Sequence, residues 1–271
     1  MMNRKLNWKP DLPDHRDMKF SLHISPPVTL PVAVDLRAEC SPIVDQGDIG
    51  SCTGNASAGA VEFMELKEYR NKAAGAAAPE EFGDHKFDSV SRLFIYYNER
   101  LIEGDVSTDG GAQIRTAIQA LNTYGVCREI IWQYGHPNLF RKPSGAAYAE
   151  AKHHKPVSYY RIDNTVITEM KKCLAGGFPI IFGMSVYDSF MSEAAAATGN
   201  IPMPATDEQI QGGHALLCVG YDDAKKVFIV RNSWGTSWGD KGYCYIPYDY
   251  LTNADLASDF WTIRDIALAA S

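Results

Sequence analysis

The chain has 271 residues, of which 45% are apolar and 22% charged. This is the composition of a folded globular protein, long enough for one large domain or two lobes sharing a cleft, and it argues against disorder. A net charge of -7, from 26 basic and 33 acidic side chains, argues against a nucleic-acid-binding surface, because neutralising phosphates takes a basic patch and no dense Lys/Arg run is present.

Residues 1–34 form a lead in which Pro10, Pro13, Pro26, Pro27 and Pro31 break any long helix, so it is expected to be extended. Its early positive charge has no apolar run behind it, so no secretory signal is visible. No stretch reaches the apolar length that crosses a bilayer, and the expectation is a soluble chain, either cytoplasmic or exported without a classical signal. After Cys52, the spacing of Ala56, Ala60, Phe63 and Met64 predicts a helix packed closely by small residues. Asn71 to Gly83, rich in alanine, reads as a surface loop. A second helix is predicted over 112–124, where Ile114, Ala117, Ile118 and Leu121 share a face and Gly125 supplies a stop.

From about residue 156 the texture changes to apolar runs bounded by turns. Phe178 to Val186, Ala215 to Tyr221, Val227 to Arg231 and Tyr243 to Ile246 are predicted strands, with a hairpin turn over 222–226. A helical part thus precedes a β-rich part, which is an α+β arrangement. The domain reading is a lead (1–34), a mainly helical lobe (35–155) and a β-rich lobe (156–271), the two lobes forming one domain.

Six cysteines stand at 40, 52, 127, 173, 218 and 244 without the short paired spacings of zinc sites, and adjacent His153-His154 lacks a ligand set, so no metal is expected. Cys218 and Cys244 lie in strand-like runs and read as small buried hydrophobes.

Three separated segments carry the chemistry: Gln46-Gly47-Asp48-Ile49-Gly50-Ser51-Cys52, Gly212-Gly213-His214 and Arg231-Asn232-Ser233-Trp234-Gly235. An attacking thiol needs a base that holds its proton, an amide that orients the base, and a donor facing the oxyanion that forms. Cys52, His214, Asn232 and Gln46 fit those four roles in turn. A thiol at the start of a helix is also favoured as the anion by the unsatisfied N–H groups there.

In these segments the chain resembles the papain-type cysteine peptidases. Leu30-Pro31 and Val34-Asp35-Leu36-Arg37 resemble the mature amino terminus of that family, Asp109-Gly110-Gly111 its glycine-rich substrate wall, and Asn232 to Gly239 its asparagine loop. The resemblance implies a two-lobed fold, with a helical first lobe and an antiparallel β-barrel-like second lobe around a cleft. It implies hydrolysis of polypeptides, in the first instance as an endopeptidase, through a thioester acyl-enzyme without a cofactor. A transferase using the same thiol and a catalytically retired peptide-binding scaffold are the alternatives. Gly110, Gly111, Gly213 and Trp234 are the implied substrate-binding residues, Trp234 also shielding the His214–Asn232 bond, while Met184 and Ala215 are weaker pocket candidates.

Three departures from the family pattern are visible. Ile49 and Thr108 stand where extracellular members have a bridged cysteine pair, implying that folding does not depend on an oxidising compartment. Thr53 replaces the aromatic residue that follows the nucleophile. The segment from Met191 to Gln211 is long and alanine-rich, and is expected to rim the cleft. The lead is shorter than the family's helical propeptides; it either lies across the cleft as a plug or packs on one lobe as a strap.

Overall fold

Cys52 opens the longest helix, α1 (Cys52–Ala74). Its first three turns, through Met64, are buried on every side, which the many Ala, Gly and Ser side chains permit by letting neighbours approach closely. α1 packs against α2 (Arg92–Glu103) and α3 (Ile114–Tyr124), and also against strands of the sheet, so it lies between helices and sheet. In this computed structural model the fold is described for residues 4–23, 29–74 and 88–268.

α2 is not anticipated by the sequence reading. Every residue from Leu93 to Arg100 is buried, so no polar face alternates with an apolar one to mark the helical period. The helix is delimited by its caps: the Ser91 hydroxyl accepts the Phe94 N–H at 3.1 Å, and Gly104 ends it in a left-handed conformation. α3 matches the periodicity, and the Gly125 N–H donates to the Leu121 carbonyl at 2.8 Å. Two short helices, α4 (His136–Leu139) and α5 (Gly145–Ala151), follow. Of the segment read as a surface loop, residues 71–74 complete α1; the rest lies outside the described residues.

The second half forms an antiparallel sheet from β2 (His154–Ile162), β3 (Ile180–Tyr187), β4 (Ile210–Asp222), β5 (Val227–Arg231), β6 (Tyr243–Pro247) and β7 (Ala257–Leu268). The strand order is β2-β7-β3-β4-β5-β6, and β1 (Ala33–Asp35) adds to β4. Among the described residues the ladders form an open path, so the barrel-like lobe is an open sheet. Helices α6 (Ile167–Ala175), α7 (Glu193–Thr198) and α8 (Tyr248–Leu251) lie in its connections. The 222–226 turn is closed by Asp222, whose carboxylate accepts the N–H groups of Ala224 and Lys225 at 3.0 and 3.2 Å. The boundary read at 34/35 falls inside β1, and the one at 155/156 inside β2.

The lead makes contacts of both kinds expected as alternatives. Arg4 to Lys9 run across the edge of β4 at Gly213 and the wall at 109–112. Further on, Asp11 and Asp17 enter an ionic cluster with Arg115, Arg161 and Asp259, and Phe20 is buried. Residues 31–36 then strap onto β4, with Leu36 N–H donating to the Val219 carbonyl at 2.9 Å.

Candidate active site

The nucleophile loop and the asparagine segment are stitched together by main chain. Gln46 N–H donates to the Ser233 carbonyl at 2.8 Å, and Gly235 N–H to the Val44 carbonyl at 3.1 Å. The fully buried Gln46 side chain accepts the Ser233 hydroxyl at 2.6 Å through Oε1. That contact fixes the amide orientation, so Nε2 points the other way, donating to the Ile49 carbonyl at 3.1 Å and reaching the Lys5 carbonyl at 3.5 Å. Ser51 and Tyr134 share a hydroxyl hydrogen bond at 2.6 Å, and the Tyr134 hydroxyl donates to the Gln46 carbonyl at 2.9 Å, which holds the loop ahead of α1.

His214 stands in β4 opposite Met184 of β3. Its Nε2 lies 2.9 Å from Asn232 Oδ1, and that oxygen also accepts the Ser233 N–H at 2.8 Å. An oxygen committed as acceptor places the proton on His214 Nε2 and leaves Nδ1 as the lone-pair nitrogen. Nδ1 meets no hydrogen-bond partner among the described residues. The Trp234 indole stacks on the imidazole at a centroid distance of 4.9 Å, as the shielding role requires. Trp238 and Phe190 complete this aromatic cover: Phe190 stacks on Trp238 at 5.5 Å and meets Trp234 edge-on at 5.5 Å. A dry surround strengthens the His214–Asn232 bond relative to one in solvent.

Cys52 and His214 are both fully buried, and this changes their protonation from the sequence expectation. Burial pushes the Cys52 thiol up to about 11, against main-chain N–H groups of Ala215, Asn7 and Thr53 that favour the thiolate; the Glu99 carboxyl adds to the rise. Burial pulls the His214 imidazole down to about 4, outweighing the Asn232 bond, and the Arg4 cation pulls it the same way. With the lead in place the pair is therefore neutral thiol and neutral imidazole. Thr53, in the position of the missing aromatic, bonds through its hydroxyl to the buried Glu99 carboxyl at 2.5 Å, and burial raises Glu99 to about 8.

The lead packs over the site. Trp8 N–H donates to the Gly213 carbonyl at 2.9 Å, Gly213 N–H to the Leu6 carbonyl at 3.3 Å, and Lys9 N–H to the Ala112 carbonyl at 3.1 Å. Asn7 Nδ2 donates to the Asp109 carbonyl at 2.9 Å. Gly111 has a positive φ of 78° and faces the Asn7 carbonyl so closely that a Cβ would collide with it. Gly110 faces Thr108 instead, so of the two wall glycines Gly111 meets the peptide. Arg4 crosses to the far side, where it pairs with Asp45, donates to the Trp234 carbonyl at 3.1 Å and lies over the Trp234 ring.

Side-chain recognition differs from the sequence reading. Trp8 fills a pocket against Gly183 and Gly213, and a Cβ on Gly183 would clash with the indole. Of the two candidates from sequence, Met184 alternates to the other face of β3 from Gly183, whereas Ala215 stands opposite Gly183 and shares its face. A glycine inside an apolar strand signals close approach of another group, and Gly183 was legible in that way. The middle of the Met191–Gln211 segment pairs with β6, Tyr245 N–H donating to the Gly199 carbonyl at 2.8 Å and Ile201 N–H to the Tyr245 carbonyl at 3.0 Å.

Where the bridged pair is missing, Ile49 is buried, and Arg100 Nη1 holds the Thr108 carbonyl at 2.8 Å. All six cysteines are free thiols. His154 is half-buried and pairs with Glu65 at 2.6 Å and Glu150 at 3.4 Å. Among the described residues there is no cluster of three or more potential metal ligands, and no helix long and apolar enough to cross a membrane.

A thiol at the start of a helix together with a strand-borne imidazole oriented by an asparagine is the residue set of the thiol-dependent hydrolases. The chain belongs to the papain family of cysteine proteases: the description "Papain family cysteine protease" matches residues 91–262. It is 45% identical over 247 residues to an uncharacterized peptidase C1-like protein of Acanthamoeba polyphaga mimivirus, covering 88% of this chain and 72% of that one. Among solved structures it is similar to xylellain, a cysteine protease from Xylella fastidiosa, at a TM-score of 0.83 and 39% identity with 97% of each chain covered. Mouse cathepsin K is 27% identical over 221 residues, 80% of this chain and 60% of that protein.

Proposed function

We propose that the chain is an endopeptidase in which Cys52 is the nucleophile, His214 the base, Asn232 its orienting partner and Gln46 an oxyanion donor. In that reading Cys52 Sγ attacks the peptide carbonyl as His214 takes its proton, and the tetrahedral oxyanion accepts from Gln46 Nε2 and the Cys52 main-chain N–H. Collapse breaks the C–N bond, His214 protonates the leaving amine, and water then hydrolyses the thioester. The observation that carries this reading is that an extended peptide, the chain's own Lys5 to Lys9, lies in the cleft with its main chain paired to Gly213 and Ala112 and a carbonyl at Gln46 Nε2.

The same reading makes Arg4 to Lys9 an intramolecular inhibitor. The segment fills the site, removes water from the dyad and holds it uncharged. Mass analysis of an internally quenched peptide with and without an added amine is the test. Internal cleavage that ends in free carboxylates, is lost in Cys52→Ser and rises when residues 1–29 are removed supports the proposal. Amide products in place of carboxylates would make the chain a transferase, and unreacted peptide after removal of the lead would make it a binding scaffold.

A further inference from the structure

The wall residue Asp109 has no role in the reading above, yet its carboxylate is built into the cleft. Its side chain is only 7% exposed, and three separate groups converge on it. Gly50 N–H, two residues before Cys52, lies 3.1 and 3.0 Å from its two oxygens, and the Tyr96 hydroxyl donates to Oδ1 at 2.8 Å. The third group is the ammonium of Lys5, 2.6 Å from Oδ2. Lys5 is also the residue whose carbonyl reaches Gln46 Nε2. The lead thus presents a cationic side chain on the residue whose carbonyl reaches the proposed oxyanion donor.

We propose that Asp109 is a specificity-determining residue that selects lysine or arginine at the substrate position supplying the scissile carbonyl. The inference rests on the peptidase reading. A side chain on the residue whose carbonyl sits at Gln46 leaves from a Cα within reach of Asp109, because Gly50 both binds that carboxylate and borders the nucleophile. Gly50 and Tyr96 orient the carboxylate but neutralise none of its charge. When the lead leaves, the carboxylate that Gly50 and Tyr96 hold in place loses the Lys5 cation, and a charge-assisted hydrogen bond to a pre-oriented carboxylate is stronger than a neutral one. A lysine or arginine side chain restores the pair; a neutral one leaves the anion alone, and a glutamate opposes it. The fixed carboxylate is pre-oriented, so binding the cation needs no rearrangement on the protein side.

The test compares two peptidyl chloromethyl ketones that differ only in ending with lysine or norleucine. Cys52 Sγ displaces chloride from either, and the adduct is located by mass. The full chain is used, together with the full chain carrying Trp8→Ala to loosen the lead. Competition from the lead slows both reagents by a common factor, so the ratio of their rates reports the subsite alone. The expected ratio favours lysine by about tenfold or more at low salt, shrinks as ionic strength rises, and falls to near one in Asp109→Asn. A purely structural role for Asp109 would change both rates and leave their ratio alone. A ratio near one in the unmodified chain, or one that survives Asp109→Asn, overturns the assignment while leaving the peptidase reading intact. Absence of any Cys52 adduct in both chains overturns the peptidase reading and this inference with it.

Discussion

Replacing Trp8 with alanine separates an inhibitory lead from a merely structural one. The indole is 8% exposed and packs on Gly183 and Gly213. A tryptophan buries about 150–250 Å², worth roughly 4–6 kcal/mol at about 25 cal/mol per Å², and truncations of large aromatics cost about 3–5 kcal/mol. The indole Nε1 is buried without a hydrogen-bond partner among the described residues, a penalty of about 1–3 kcal/mol that truncation removes. The net loss therefore centres on about 2 kcal/mol, or roughly 30-fold in the population of the open state. The assay is the second-order rate of Cys52 alkylation by iodoacetamide, with the adduct mapped by mass and peptide hydrolysis followed in parallel. Gly183→Ala, which sterically evicts the same indole, should accelerate labelling similarly and add little on top of Trp8→Ala, as a double-mutant cycle reads for groups in contact. Equal labelling rates in the unmodified and Trp8→Ala chains would refute the argument that this segment gates the thiol.

Gln46→Ala should lower kcat/KM by about 10²–10³-fold, the cost of one oxyanion donor. Because Gln46 Oε1 also accepts the Ser233 hydroxyl, Tm should fall as well, which calorimetry will register. Arg161→Met leaves the carboxylates of Asp11, Asp17 and Asp259 without a cation that pairs with all three. At about 3–5 kcal/mol for breaking a buried pair, it should release the lead, and unchanged protection of residues 4–20 from a protease would contradict this. The pH dependence of docking follows from three groups, taking each at its ordinary value once the lead is released. The lowered His214 contributes docking stability above about 6.5 that is lost as pH falls through about 4. Asp11, raised to about 6 by burial and by the Asp259 charge, acts oppositely, and its docked form gains as pH falls below about 6. The two should cancel between about pH 4 and 6, and Asp11→Asn should expose docking that weakens on acidification over that range. Cys52, raised to about 11, favours docking below its ordinary value near 9 and loses that contribution as pH rises through 11. Hydrogen exchange of the Trp8 main-chain N–H, corrected for its intrinsic rate, reads all three.

The elements that sequence made legible are those whose pattern is local. α3 shows its apolar face at helical spacing and its stop at Gly125, and β5 is bounded as its β-rich run indicates. α2 was hidden because burial around its whole circumference erases the amphipathic period. β2 and β7 form one extensive pairing, but each is specified by its partner across the sheet more than by its own alternation. Gly183 and not Met184 meets Trp8 because successive strand residues point to opposite faces, and which of the two faces the lead covers is settled only by packing across β3 and β4.

Sequence by itself determined the four groups proposed for chemistry, Gln46, Cys52, His214 and Asn232, because a thiol, a base, an orienting amide and an oxyanion donor are fixed by residue type and carried on short motifs. It also left the lead open between plug and strap. Only the tertiary structure shows that the lead makes both kinds of contact, residues 4–9 pairing at Gly213, Gly111 and Gly183 where Trp8 is seated, and residues 31–36 pairing with β4. The protonation of the dyad belongs to the same level. A helix start favours the thiolate, but burial in the folded chain outweighs it, and no motif read along the sequence carries that effect.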